Sequence, residues 1–170
     1  TTTVKYGTGA MEFDGTGDWL QTPPSDLFNF GAGDFTVEFW AKIDTPLSNF
    51  RKGVVGQTEN VNGRWQVRPA QNNGNFGFTY YNGSTYRDMD GGAAIPDNTW
   101  CHLAVVRDSG TFKFFIDGVK GTDNSSYTSE SVGNSTGLYI MRNVWDNHDL
   151  AGSIDDLRIT KGIARYTANF

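Results

Sequence analysis

The sequence predicts an all-β fold, either an antiparallel sandwich or a barrel, from alternating apolar residues and frequent turn signals. Between Phe35 and Ile43 every second residue is apolar, and the same period of two returns in four later segments. Successive side chains of a strand point to opposite faces, so this period indicates strands with one buried face. No segment shows a convincing helical period. The four later segments start at Phe76, Phe112, Leu138 and Leu157.

Turn signals separate these predicted strands. The strongest are Asn82-Gly83 and Asp117-Gly118, because a two-residue primed turn needs a positive φ, which Asn, Asp and Gly adopt at low cost. Each of them predicts a hairpin. The segment from Trp100 to Val106 is apolar without alternation, which predicts a central strand covered on both faces. The sequence shows no linker and no internal repeat, so we expect residues 1–170 to form a single domain.

Composition narrows the classes of partner. The net charge is −5 and no basic run follows the spacing of a phosphate backbone, so we expect no nucleic acid partner. No apolar stretch approaches the roughly 20 residues that span a bilayer, so we expect no membrane insertion. Cys101 is the one cysteine, which leaves no intrachain disulfide. We assign Cys101, Trp40 and Trp100 to the core.

Five segments, in this order, resemble the laminin-G-like family, which is related to pentraxins and concanavalin A-like lectins. They are AMEFDGTGDWL (10–20), FTVEFWA (35–41), WCHLAVVR (100–107), FKFFIDG (112–118) and GSIDDLRI (152–159). The resemblance implies one laminin-G/concanavalin A-like domain, an antiparallel two-sheet β-sandwich of the jelly-roll type. Similar modules are common in secreted bacterial proteins, adhesins and phage tail or fibre proteins. The segment TKGIARYTANF (160–170) resembles the residues that come after this module in phage and marine microbial proteins, which implies a virion surface or extracellular location.

The resemblance also implies that the first and last strands are neighbours, which would bring Asp14 and Asp18 close to Asp155 and Asp156. Four carboxylates, together with backbone carbonyls of the adjacent turn, are the oxygen ligands that Ca²⁺ requires. We therefore expect a calcium site at these residues. The alternative is that Asp14 opens a turn while Asp155 pairs with Arg158 or accepts backbone hydrogen bonds. Both interpretations remain open at the level of sequence.

A carbohydrate site is predicted in the segment NVWDNHD (143–149), where polar side chains surround one large aromatic ring. Sugars need a flat apolar surface for the C–H face of the ring and fixed donors and acceptors for their hydroxyl groups. Trp145, Asp146, Asn147 and His148 supply both kinds of group. The alternative is that Trp145 packs back over the core and its polar neighbours make turns.

A second aromatic surface is predicted where Arg64 and Trp65 approach the tyrosines Tyr80, Tyr81 and Tyr86. Such a surface would place guanidinium donors beside rings on one sheet face, and we include Arg64 and Trp65 among the candidate ligand contacts. The alternative is that these aromatic residues serve packing within the core or between strands.

The sequence does not predict an enzyme. Related endoglucanases use the spacing Glu-x-Asp-x-x-Glu, and the four glutamates of this chain do not show it. A zinc site needs about four His or Cys ligands, and the chain has two histidines and one cysteine.

Two functions of different class therefore remain. The first is a lectin-like module that binds a glycan or cell-surface polysaccharide. The second is a structural or adhesive virion domain without glycan affinity, as part of a homo-oligomer or a larger fibre protein.

Overall fold

The computed structural model describes residues 4–44, 53–57, 62–70, 73–143 and 148–170. A short 3₁₀ turn covers Asp26–Phe28, and Ser25 caps it by accepting a hydrogen bond from the backbone N–H of Leu27. The strands are, in chain order, β1 (Met11–Asp14), β2 (Leu20–Gln21), β3 (Phe35–Ile43), β4 (Val55–Gln57), β5 (Trp65–Pro69), β6 (Asn75–Tyr81), β7 (Tyr86–Ala94), β8 (Cys101–Asp108), β9 (Thr111–Ile116), β10 (Val119–Lys120), β11 (Leu138–Ile140), β12 (Arg142–Asn143), β13 (His148–Asp149) and β14 (Ala151–Lys161).

Two six-stranded sheets make up the fold. Sheet A has the order β1-β14-β3-β8-β9-β10, and sheet B has the order β2-β11-β4-β5-β6-β7. Neighbouring strands in both sheets run antiparallel. The strands β12 and β13 pair in a separate ribbon. The predicted two-sheet jelly-roll sandwich is confirmed.

The turns form where the sequence predicts them. Asp117 and Gly118 connect β9 to β10 with φ values of 50° and 76°, so both central residues are in the left-handed region that a primed turn requires. Asn82-Gly83 lies in the connection from β6 to β7, and Gly83 has a φ of 99°. Both predicted hairpins are confirmed, although the four residues 82–85 connect β6 to β7 in place of a two-residue turn.

The core lies between the sheets and is rich in aromatic rings. Phe78 of sheet B stands at its centre, with its ring centroid 5.8 Å from Phe35 and 5.6 Å from Phe112, both of sheet A. On its own sheet its ring is 5.7 Å from that of Trp65. The alternate residues of β3 that the period of two assigns to the core are all buried. Offset and edge-on aromatic pairs of this kind add to the stabilisation that burial of their area gives.

The strand β8 is covered on both faces, as predicted, but by two different elements. One face packs into the core between the sheets, and on the other face Ala104 and Val106 are buried beneath Ala164 and Tyr166 of segment 162–170. Backbone hydrogen bonds fix this segment, since the N–H of Phe170 donates to the carbonyl of Gly118. Segment 162–170 therefore crosses the outer face of sheet A.

Cys101 is completely buried, in agreement with its assignment to the core. Burial and the nearby Asp117 carboxylate raise the pKa of its thiol to about 12. The assignment of Trp40 and Trp100 to the core is wrong, because both side chains are partly exposed. Within the described part of the chain, no helix has the length and apolar character to cross a membrane.

We expect Phe78→Ala to lower the free energy of unfolding by about 3–5 kcal/mol, because it removes a ring at the centre of the core and leaves a cavity. Urea denaturation measures the change. Leu27→Ala is the control, because this side chain is 66% exposed and its truncation should cost less than about 0.5 kcal/mol. Equal losses in the two variants would contradict the placement of Phe78.

Candidate functional site

A groove of about 460 Å³ opens on the outer face of sheet A, within the roughly 300–1,000 Å³ that is typical of small-ligand sites. Four aromatic side chains line it, two from the body of the domain and two from segment 162–170. Charged side chains from β3, from β14 and from the turn after β9 lie between them. We call it the aromatic groove, and its rings are those of Tyr6, Trp40, Tyr166 and Phe170.

Strand register brings the side chains of the aromatic groove together. In β3, Glu38 faces Arg158 of β14, and Trp40 faces His102 of β8. Residues directly opposite each other on antiparallel strands project from the same face. Because the odd-numbered residues of β3 point into the core, Glu38 and Trp40 must point outward. The period of two in β3 is therefore itself the sequence signal that places Trp40 outside the core.

The floor of the aromatic groove is the carboxylate of Glu38, which is 2% exposed. The hydroxyl of Tyr166 donates to Oε2 over 2.6 Å, and Nε2 of His102 lies 3.3 Å from the same oxygen. The guanidinium Nε atoms of Arg165 and Arg158 lie 2.8 Å and 3.4 Å from Oε1.

These contacts decide the ionisation of Glu38. Burial alone raises the pKa of this carboxyl, but the hydrogen bonds from His102 and Tyr166 and the charges of the two arginines outweigh burial and hold the pKa below its usual range. Glu38 is therefore ionised at neutral pH, and it fixes four side chains around the floor of the groove.

The walls of the aromatic groove are ring surfaces. The ring of Tyr6 meets that of Trp40 edge-on, with centroids 5.4 Å apart and planes at 79°. On the opposite side, Tyr166 and Phe170 stack at 3.6 Å with planes at 11°. Tyr6 and Phe170 are each 54% exposed. The groove therefore presents apolar ring area to solvent beside fixed charges.

Two further carboxylates reach the aromatic groove from turns. Asp117 belongs to the β9–β10 turn, where one of its oxygens accepts a hydrogen bond of 2.8 Å from the backbone N–H of His102. Asp156 lies in the irregular stretch of β14 between Asp155 and Arg158, with a φ of 48°. An irregularity of this kind changes the direction in which side chains point. The Asp156 side chain is 60% exposed.

The expected calcium site at Asp14, Asp18, Asp155 and Asp156 does not assemble. The strands β1 and β14 are neighbours, as the resemblance implies, but Asp14 faces Ala151, and the pairing ends with Met11 opposite Ile154. Asp155 and Asp156 therefore lie beyond the other end of β1. The expected convergence of four carboxylates is wrong, because the length and register of β1 keep the two pairs apart.

Local hydrogen bonds explain these carboxylates without a metal. Asp14 accepts from the backbone N–H of Thr16 over 2.7 Å, and Asp155 accepts from the backbone N–H of Tyr6 over 3.1 Å. Among the described residues, no three His, Cys, Asp or Glu side chains gather as metal ligands would. The four carboxylates are therefore not gathered into one ligand set, and calcium binding by this chain stays a prediction.

The predicted carbohydrate site in segment 143–149 is tested only in part. Trp145, Asp146 and Asn147 lie outside the described residues. His148 is exposed at the start of β13, where it pairs with Asn143. The assignment of a sugar to this segment stays a prediction.

The predicted second aromatic surface is divided between the two faces of sheet B. Trp65 and Tyr80 face each other on β5 and β6 and are both completely buried, so the expectation that Trp65 is exposed to a ligand is wrong. Arg64 lies on the other face, with its guanidinium 5.7 Å from the ring of Tyr81 and 5.3 Å from that of Tyr86. Arg64 is 4% exposed, and its guanidinium also donates a hydrogen bond to the hydroxyl of Tyr86, so it holds these rings in place rather than facing a ligand.

A polar cleft of about 260 Å³ lies at one end of sheet B, and Glu130 dominates it. The carboxylate of Glu130 pairs with the guanidinium of Arg87 at 2.5 Å and accepts from the hydroxyl of Tyr80 over 2.7 Å and the amide of Asn82 over 3.2 Å. The hydrogen bond from Arg87 is the main reason that the pKa of Glu130 falls to about 2. These bonds tie the connection between β10 and β11 to β6 and β7.

Comparison with known proteins identifies the family. A laminin G model described as concanavalin A-like lectin/glucanases superfamily matches residues 14–164. The chain therefore belongs to the concanavalin A-like lectin/glucanases superfamily. No curated protein is significantly similar in sequence.

Solved structures share the fold at low sequence identity. Domain 4 of an extracellular arabinanase from Geobacillus stearothermophilus, in complex with arabinotriose, has a TM-score of 0.70 and 22% identity over 93% of this chain and 78% of that domain. A native heptameric SAP-like pentraxin from Limulus polyphemus has a TM-score of 0.61 and 12% identity over 90% and 76% of the two chains. The ligand-binding domain of botulinum neurotoxin serotype D, in complex with N-acetylneuraminic acid, has a TM-score of 0.67 and 17% identity over 95% and 41%.

We expect Tyr166→Phe to lower the free energy of unfolding by about 1–2 kcal/mol, because the buried Glu38 carboxylate loses its hydroxyl donor. Tyr6→Phe is the matched control, since it removes a hydroxyl from an exposed ring of the same groove. Urea denaturation at pH 7 compares the two variants. A Tyr166→Phe protein as stable as the control would show that the hydrogen bond to Glu38 contributes nothing measurable.

Glu130→Gln should remove a pH-dependent part of the stability. A carboxyl whose pKa is lowered in the folded state stabilises the fold above its unfolded pKa near 4.5, and this contribution is lost as the pH falls towards about 2. We expect the variant to be less stable than wild type by about 2 kcal/mol at pH 7, with the difference falling to well under half of this at pH 2.5. Denaturant titrations across this range measure the difference, with the exposed Glu12→Gln as control. A difference that does not change with pH would contradict the assignment.

Proposed function

We propose that this chain is a non-catalytic carbohydrate-binding module that holds a saccharide in the aromatic groove. The observation that carries the proposal is the position of Trp40, whose partly exposed ring stands on the outer face of sheet A between Tyr6 and His102. A large apolar ring at the surface, with fixed polar groups on both sides, is the usual basis of sugar recognition.

The chemistry of the groove suits a saccharide. The C–H face of a sugar ring packs against Trp40 and Tyr6, while its hydroxyl groups donate to Asp117 and Asp156 and accept from the guanidinium of Arg158. Hydrogen bonds to charged partners are the stronger ones, at about 1.5–3 kcal/mol each. Glu38 holds Arg158, and the backbone N–H of His102 holds Asp117, before any ligand binds, so little of that energy is lost in ordering these two groups.

The ionised state of the Glu38 carboxylate supports a binding function rather than glycosidic hydrolysis. A glycosidase needs one carboxyl that carries a proton for the leaving group, and its pKa is raised accordingly. The pKa of Glu38 is shifted the opposite way, by hydrogen bonds from His102 and Tyr166 to one of its oxygens and by the charges of two arginines beside the other. In this proposal Glu38 is a positioning residue.

The relatives support the same class of ligand and the same location. The arabinanase domain was solved with arabinotriose and the toxin domain with N-acetylneuraminic acid, so this fold binds saccharides in two proteins of different kinds. The arabinanase is extracellular. We propose that this chain also acts outside the cell, on a bacterial surface or as part of a virion, where it binds a glycan or cell-surface polysaccharide.

A glycan array tests the proposal, with wild type, Trp40→Ala and Trp19→Ala applied in calcium and in chelator. Trp19 is the matched control because it is 39% exposed and packs under Arg142, outside the aromatic groove. We expect wild type and Trp19→Ala to bind the same glycans, and Trp40→Ala to bind them at least 10-fold more weakly. Circular dichroism verifies that all three proteins are folded.

Two results would contradict the proposal in different ways. If folded wild-type protein binds no glycan on a broad array, the structural or adhesive virion domain without glycan affinity is favoured. Binding that survives in Trp40→Ala but is lost in Trp145→Ala would move the site to segment 143–149.

A further inference from the structure

The aromatic groove already contains a cation supplied by the chain itself. The ammonium of Lys5 lies 3.9 Å from the ring centroid of Trp40 and 5.6 Å from that of Tyr6. A cation within about 6 Å of a ring face is attracted by the negative charge of the ring surface, most strongly for Trp. Since Tyr6 stands edge-on to Trp40, the two rings form two sides of an open cage around this ammonium.

The charges around the cage also favour a cation. The charged side chains that line the groove, His102 aside, are three carboxylates and one guanidinium. Glu38 is compensated by Arg158 and by Arg165, which reaches it from segment 162–170. Asp156 also lies 3.9 Å from the Arg158 guanidinium, but Asp117 and Asp156 are exposed, so their carboxylates are the ones that a ligand can reach.

We infer that the saccharide bound in the aromatic groove carries a protonated amine, as in a polysaccharide of de-N-acetylated amino sugars. The inference rests on the proposed function and specifies its ligand. The sugar ammonium takes the position of the Lys5 ammonium over Trp40, and the adjacent C–H face of the same sugar packs on the ring. An N-acetyl group has no positive charge for the ring or for the two carboxylates, so the acetylated sugar binds more weakly.

Lys5 competes with the ligand in this arrangement. Its side chain must leave the face of Trp40 before the sugar ammonium can occupy it, which reduces the apparent affinity by the fraction of molecules in which Lys5 is in place. Lys5→Ala therefore increases the affinity several-fold for an amine ligand. If Lys5 instead contacted the sugar as a donor, the same substitution would weaken binding.

The test compares a glucosamine tetrasaccharide with its fully N-acetylated counterpart at pH 6, by calorimetry and tryptophan fluorescence. We expect the amine form to bind wild type at least 10-fold more tightly. Asp117→Asn and Asp156→Asn should together reduce this preference to less than 3-fold. Asn keeps an acceptor oxygen and tolerates the positive φ of both positions, 50° and 48°.

The double variant Asp123→Asn/Glu12→Gln is the charge-matched control, because it also removes two carboxylates, one paired with Lys120 and one exposed on β1, and neither lines the groove. It should leave the preference unchanged, which separates recognition in the groove from general attraction of a cationic oligosaccharide to an acidic protein. Equal affinity for the two tetrasaccharides overturns the inference, and so does a preference that survives both groove substitutions. In either case the proposed function stands if Trp40→Ala abolishes saccharide binding. Failure of every saccharide to bind overturns both.

Discussion

The structure depends on the strict alternation of side chains along β3. This strand lies in the middle of sheet A, between β14 and β8, and it serves two surfaces at once. Phe39 and its odd-numbered neighbours close the core, while Glu38 and Trp40 build the aromatic groove on the outside. A shift of one residue in register would bury the carboxylate in the core and expose the core phenylalanines. Core packing and the geometry of the groove are therefore set by the same pairing.

Segment 162–170 adds the second constraint. Two of its residues, Ala164 and Tyr166, pack over a small apolar patch on the outer face of sheet A. The hydroxyl of Thr36 donates to the carbonyl of Ile163 and accepts from the backbone N–H of Arg165, which fastens the segment to β3. Further along, the rings of Tyr166 and Phe170 contact the ring of His102 edge-on. The same segment that packs on sheet A therefore also forms one wall of the aromatic groove.

Much of the fold could be predicted from the sequence because its determinants are local. The alternation from Phe35 to Ile43 and the turn at Asp117-Gly118 depend on neighbouring residues, and both are found where they are expected. The site could be predicted less well. Large aromatic residues are usually buried, and this general rule favours a core position for Trp40, although its even position in β3 indicates the opposite. In β5 the same alternation puts Trp65 on the face of the buried Val67, inside the sandwich.

The predicted convergence of four carboxylates failed for a different reason. The resemblance implies that β1 and β14 are neighbours, but it does not imply the register between them. The distance from Asp14 to Asp155 depends on that register. No short motif in either strand specifies register, because register follows from the packing of the whole sandwich. The groove also depends on contacts of Glu38 with residues more than 60 positions away along the chain, which single motifs do not reveal.

The buried position of Cys101 has a consequence for the behaviour of the chain in an oxidising medium. Disulfides form through the thiolate, and this thiol has no exposed surface and a pKa raised to about 12. While the sandwich is closed, an oxidising medium has no thiol to act on. Copies of the chain therefore do not become cross-linked to one another through cysteine, and the fold keeps its one thiol reduced without help from a reducing compartment.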